Sequence, residues 1–228
     1  MSAAVITIDK KKKTILTVCA SVLALAFIAA ADVFFDNFTL RVFNLCAIYI
    51  VLALSLNLLN GFTGIFSLGH AGFMAIGAYV SALLTMSPAQ KEMNFYLAPI
   101  IQPLAGVQIP FLPALLLAGF AAALFAFLIG LPVLRLHDDY LAIASLGFAE
   151  IIRVVITNLQ RVTNGALGLK GLPKYSTTYV VWGCAILAIV FTVALINSAF
   201  GSSLKAIRDN EIAAEAMGIN VAKVKTIS

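Results

Sequence analysis

A chain of 228 residues that is 62% hydrophobic and 11% charged, with a mean hydropathy of +1.03, has too little polar surface to enclose a water-soluble globule, so it is an integral membrane protein. Its apolar runs are continuous rather than alternating, which excludes a β-barrel. The net charge of +5 calls for no nucleic-acid partner, because basic cytoplasmic loops are expected of any such protein.

In chain order, residues 1–13 form a basic N-terminus carrying Lys10, Lys11, Lys12 and Lys13. Six apolar windows follow at 14–35, 39–60, 67–86, 111–134, 140–159 and 179–200, each near the ~20 residues that cross a hydrocarbon core. The expected fold is therefore all-α and polytopic, with about six transmembrane helices. The first window resembles a signal peptide in its basic flank. Asp32, Phe34 and Phe35 follow the small residues Ala29, Ala30 and Ala31 at once, however, and the run is long, which favours an uncleaved signal anchor.

Threading the spans with the N-terminus in the cytoplasm puts Arg135, Lys205, Arg208, Lys223 and Lys225 inside with the lysine run. Arg41, Lys91, Arg161, Lys170 and Lys174 fall outside, and that asymmetry favours the cytoplasmic N-terminus. Cys19, Cys46 and Cys184 all fall within windows without metal-ligand spacing, and read as buried small apolar side chains.

The segment 61–84 is long enough to span, yet Gly61, Gly64, Gly69, Gly72 and Gly77 punctuate it. Glycine weakens a helix and lets backbones approach, so this reads as a membrane helix that breaks and presents freed backbone groups to a solute. The same small residues would equally serve close helix packing. Asn57, Asn60, Ser67 and His70 are polar candidates around the break; a lone histidine there is read first as a hydrogen-bonding residue rather than a proton carrier.

Residues 87–110, with Pro88, Pro99, Pro103 and Pro110, form a breaker-rich outer connection, and 160–178, with Asn164, Gly165, Gly168, Gly171 and Pro173, lie on the same face. A solute-delivering protein could dock there, though surface loops need no such role. Within the fifth window, Glu150 and Arg153 are three residues apart and can neutralise each other on one helix face, marking either a pathway or a structural ion pair. Past residue 200 the chain turns charged and helical in pattern. Ser202 or Ser203 can cap, Ala206, Ile207, Ile212, Ala213, Ala216 and Met217 supply a mostly apolar stripe, and Gly218 with Asn220 reads as a stop. Such a helix suits a groove on a cytoplasmic motor, or the lipid surface.

Three blocks in order carry a resemblance: NLLNGFTGIFSLGHAGFMAIGAYVSALL at 57–84, LRLHDDYLAIASLGFAEIIR at 134–153 and LKAIRDNEIAAEAMG at 204–218. From about Leu40 onward the chain resembles the branched-chain amino acid permeases of bacterial ATP-binding-cassette importers, of the LivM-like rather than the shorter LivH-like kind. The resemblance implies a single permease domain over 1–228, in which 14–200 spans the membrane and 201–228 couples to ATPases. It also implies alternating access in the bacterial inner membrane, with a LivH-like second permease, two cytoplasmic ATPases and an extracytoplasmic solute-binding protein as partners.

Carried over residue by residue, Glu211, Glu215, Ala216 and Gly218 match the coupling pattern. Gly61, Thr63, Gly64, Ser67, Gly69, His70 and Gly72 match the glycine-rich signature. Together with Asn57 and Glu150 they are the candidate path residues. A zwitterionic amino acid would need backbone N–H groups for its carboxylate and apolar surface, such as Phe62, Ile65 and Phe66, for its side chain. No GxxxxGK[ST] motif occurs, so the chain is expected to be no enzyme and to need no cofactor of its own, with ATP bound by the partner subunits.

Relatives continue with further helices past the coupling segment, which implies a C-terminally shortened chain. Urea or amide permeases of the same family remain the nearest alternative. An ion-coupled secondary transporter relaying through Glu150, Arg153 and His70, or a noncatalytic scaffold, are the readings from other classes.

Overall fold

A computed structural model describes residues 27–28, 30–32, 34–134 and 138–227. The basic N-terminus, most of the first expected span, Cys19 and Arg135 lie outside the described residues. The described residues are mostly helical and contain no strand.

The elements are α1 (Asn37–Asn57), a wide π-turn (Leu58–Thr63), α2 (His70–Thr85), α3 (Pro88–Asn94), α4 (Gln102–Ala105), α5 (Phe111–Val133), α6 (Asp138–Asn158), α7 (Gln160–Thr163), a 3-10 turn (Gly165–Leu167), α8 (Thr178–Ile196), α9 (Ala199–Asp209), α10 (Glu211–Ala216) and α11 (Val221–Ile227). Among the described residues, four helical stretches are long and apolar enough to cross a membrane: Asn37–Thr63, Phe111–Val133, Tyr140–Asn158 and Thr178–Ile196. The third expected span is shorter than its window, because α2 begins only at His70 and has 16 residues. Between Thr63 and His70 the chain leaves the helix, with Gly64 in the left-handed region at φ 77°, a conformation glycine adopts at no steric cost.

At most 17% of the apolar window of any of the four spans is buried within the chain. α5 and α8 are apolar on every side, as helices bathed in lipid or covered by other subunits are. This also corrects the expectation for the cysteines. Cys46 and Cys184 are exposed on their helices, where a small apolar side chain tolerates lipid as readily as protein.

The fold divides into two units, Met1–Val51 with Ser176–Ala188 and Leu52–Tyr175 with Ile189–Ser228. In the first, Phe27, Phe35 and Phe43 meet edge to face at 5.7–6.1 Å between centroids, and Phe43 stacks on Trp182 at 4.5 Å. Buried Thr178 donates to Asp32 Oδ1 at 2.7 Å and accepts from Asn44 Nδ2 at 3.3 Å, so its hydroxyl is satisfied in an apolar setting.

In the second unit, α2 packs on α5 and α6 through small residues. A Cβ on Gly77 would sit 3.8 Å from Ala122 Cβ, and one on Gly72 would lie 2.9 Å from Ile152 Cδ1 and 3.2 Å from Ala149 Cα. The glycines thus serve close packing at α2, as well as the break before it. At one end the segments 87–110 and 160–178 join. Asn94 and Lys170 exchange two hydrogen bonds of 2.8 and 2.9 Å, and Gln90 Nε2 donates to Gly171 O at 3.1 Å. Ser87 and Gln90 close a reciprocal cap on α3, with Pro88 in its first turn.

The segment after α8 is not one helix. Ser198, rather than Ser202 or Ser203, caps α9, because the helix starts at Ala199 and its hydroxyl meets Gly201 N. Asn210 is extended and caps α10 by accepting from Ala213 N at 3.0 Å, which interrupts the helix before the expected stop. Gly218, at φ 85°, then turns the chain into α11. Ile207, Ala214 and Val221 form a small shared core, while Ile212 and Met217 point outward. The apolar stripe read from the sequence is therefore split between two helix faces.

Candidate functional site

The break between α1 and α2 is held by side chains that meet its backbone. Ser67 N donates to Asn60 Oδ1 at 3.2 Å, and Leu68 N donates to Ser145 Oγ on α6 at 3.0 Å. Thr63, buried at 2% exposure, donates to Leu58 O at 3.0 Å within the π-turn. Three polar side chains thus replace hydrogen bonds that the interrupted helix gives up, as irregular backbone at membrane depth requires.

Beside the break lies a cavity of about 540 Å³, within the range of small-molecule sites. Ser67, Gly69 and His70 line it from the broken segment, and Phe73 continues the wall along α2. Phe127 and Gly130 come from α5, Leu141, Ser145 and Phe148 from α6, and Lys225 and Thr226 from α11. The walls are mainly aliphatic and aromatic. Ile65 anchors them in a buried cluster with Val133 and Leu141. The polar groups converge at the break, where His70 Nδ1 is buried and has no hydrogen-bond partner among the described residues. A buried imidazole nitrogen without a partner is costly, so the cavity offers a polar ligand one unfilled contact.

Of the candidate path residues, the structure brings Ser67, Gly69 and His70 to the cavity. The others do different work. Asn57 lies against Gly61, Gly64 supplies the left-handed turn, Thr63 is turned into the π-turn, and Gly72 admits α6. Phe66 is exposed, and Phe62 lies under Lys205 Nζ, 5.9 Å from the ring centre. Glu150 and Arg153 form a two-bonded ion pair, 2.6 and 2.9 Å, on an exposed face of α6 and do not line the cavity. They and His70 therefore do not share one site. The sequence reading expected the break to free backbone groups for a solute, but the backbone N–H groups of Ser67 and Leu68 are met by the chain's own side chains.

Sequence reasoning missed Ser145, Phe73, Phe127 and Phe148. Ser145 sits inside the motif at 134–153, but only its proximity to Leu68, 77 residues away, distinguishes it from any helical serine. Among the residues that match the expected coupling pattern, Glu211 accepts from Lys225 Nζ with both carboxylate oxygens at 2.8 Å, linking α10 to a cavity-lining side chain. Glu215, Ala216 and Gly218 are exposed beyond it.

Residues 38–228 match the family described as branched-chain amino acid transport system, permease component. The chain belongs to this permease family. It is 33% identical over 221 residues to the high-affinity branched-chain amino acid transport system permease protein LivM of Escherichia coli (strain K12), covering 82% of this chain and 48% of that protein. The LivM protein of Salmonella typhimurium is likewise 33% identical, over 78% of this chain and 45% of that one. A probable branched-chain amino acid transport permease protein LivM of Methanocaldococcus jannaschii is 29% identical, over 78% and 59%. The permease chain thus spans about half the length of the curated bacterial relatives it matches. No solved structure matches it. With four long apolar helical stretches among its described residues, this LivM-like permease is a multi-pass membrane protein.

Proposed function

We propose that the permease moves branched-chain or related apolar amino acids into the cytoplasm as one subunit of an ATP-binding-cassette importer. The observation that carries the reading is the cavity at the broken segment, whose aliphatic and aromatic walls converge on the buried, unpartnered His70 Nδ1. An amino acid would donate from its ammonium to His70 Nδ1 and lay its side chain against Phe73, Phe127 and Phe148. Asn57, Gly61, Thr63, Gly64 and Gly72 support this path by shaping its backbone rather than by touching solute.

In this reading, 1–228 acts as one permease domain in the bacterial inner membrane, with its N-terminus and the 201–228 segment in the cytoplasm. A second, LivH-like permease completes the path and covers apolar helix faces. Two ATPases bind ATP and hydrolyse it, and the permease needs no cofactor. Exposed Glu215, Ile212 and Met217 around α10 form the surface offered to an ATPase groove, with Glu211, Ala216 and Gly218 shaping it. The joined outer connections at Asn94 and Lys170 offer the landing face for a solute-binding protein.

Co-purification with the second permease and the ATPases, followed by ATP hydrolysis in liposomes, tests the reading. Stimulation by branched-chain amino acids with loaded binding protein, lost on Glu215→Lys, is the expected result. No ATPase association, or uptake that follows a proton gradient without ATPases, overturns it.

A further inference from the structure

Arg208, which the coupling pattern does not include, reaches from α9 to the broken segment: its Nη1 donates to Gly61 O at 3.1 Å. Asp209 holds the guanidinium in place, accepting from Nη2 at 3.0 Å and Nε at 3.2 Å. The contact is backbone-close as well. A Cβ on Gly64 would sit 3.0 Å from Arg208 Cγ and 3.5 Å from Arg208 Cα, so the glycine leaves room for α9 to lie against the turn. Lys205, one helical turn earlier, lies over Phe62 of the same π-turn.

The turn touched in this way is a cavity wall. Gly64 N donates to Leu59 O and closes the π-turn, and Leu59 within the turn and the buried Ile65 just after it both line the cavity. A shift of α9 therefore moves Gly61 and Gly64, and with them the wall. Only a guanidinium can grip the Gly61 carbonyl and the Asp209 carboxylate at once in a fixed geometry; a lysine ammonium reaches one of them without the planar fork.

We infer that Arg208 is a positioning residue of transport: it transmits movement of the ATPase-facing segment to the cavity wall through Gly61 and Gly64. The inference rests on the permease reading above. Arg208 does not touch solute. Its loss weakens the link between hydrolysis and solute movement rather than either event alone, and because coupling between sites is reciprocal, the response of the ATPases to loaded binding protein weakens with it.

The test is the number of amino acid molecules taken up per ATP hydrolysed, measured in liposomes holding the permease with its partner subunits. Arg208→Ala is expected to keep the ATPases bound and to lower the ratio about tenfold, with a matching loss of stimulation by loaded binding protein. Arg208→Lys, which can still donate to Gly61 O, recovers part of the ratio. Asp209→Asn, which keeps an acceptor oxygen for the guanidinium but removes the charge that strengthens both bonds, lowers the ratio by a smaller factor. A ratio unchanged in Arg208→Ala and Asp209→Asn overturns the inference while leaving the permease reading intact. Loss of ATPase association in Arg208→Ala and Arg208→Lys alike also overturns it, by making Arg208 part of the docking surface. An unsubstituted permease that recruits no ATPase removes the permease reading and this inference together.

Discussion

Leu68 N donates to the Ser145 hydroxyl at 3.0 Å across 77 residues of sequence, and Ser145 in turn donates to Ala142 O at 2.8 Å. One buried hydroxyl thus satisfies the backbone of the broken segment from the facing helix. Ser145→Ala removes the acceptor and leaves the Leu68 N–H without one, at a cost of about 1–3 kcal/mol. The expected outcome is a lower melting temperature of the purified permease and weaker solute binding. Ser145→Thr, which keeps the hydroxyl, holds most of both; an alanine variant that melts like the unsubstituted protein would sink the idea.

The position of the break was legible in the sequence, because Gly61, Gly64 and Gly69 interrupt an apolar run that would otherwise propagate as helix. What meets the break was not. Ser145 and Arg208 lie in later segments, and their pairing with 61–68 depends on how α6 and α9 pack, which no local pattern encodes. Gly72 reads like its neighbours in sequence, yet it serves contact with Ala149 and Ile152 rather than chain reversal. The segment after Ser198 was legible as helical and charged, but the interruption at Asn210 was hidden by the helix-forming residues on both sides of it.

The glycines should therefore separate on substitution. At Gly64 an alanine must adopt φ 77° and also press on Arg208, so Gly64→Ala costs about 1–2 kcal/mol. Gly72→Leu forces α2 from α6 and costs more. Gly147 has open space where a Cβ would go, so Gly147→Ala in α6 leaves stability unchanged or slightly raised. Thermal unfolding of the three variants in one detergent checks the order, and equal losses at Gly64 and Gly147 would contradict it.

Lys91 has 1% of its surface exposed and holds the 87–110 segment from inside, donating to Leu104 O at 2.7 Å and Val107 O at 2.5 Å. Burial lowers its pKa below the ordinary lysine value, because desolvation disfavours the ammonium. A neutral amine still has two N–H groups, so both carbonyls keep their donor when the proton leaves. The unfolded segment then holds more protons than the folded one between the lowered value and the ordinary lysine value of about 10.4. Stability of this segment should therefore rise with pH through that window and flatten above it. Protease sensitivity of 87–110 between neutral pH and pH of about 10 reads this. Lys91→Met abolishes the pH dependence and raises cleavage at every pH by leaving both carbonyls unpaired.

Glu150 and Arg153 carry opposite charges on an exposed face of a membrane-length helix, bonded to each other at 2.6 and 2.9 Å. In hydrocarbon, each charge is tolerable only because the other is present. Removing one partner should then hurt more than removing both. Arg153→Leu leaves a lone carboxylate in the span and is expected to lower the amount of inserted permease several-fold, whereas Glu150→Leu with Arg153→Leu restores insertion. Membrane-fraction yield of the two single variants and the double variant measures the coupling. Losses that simply add would mean that each charge has its own partner on another subunit. Restored insertion with transport still absent would place the pair at a functional contact with that subunit.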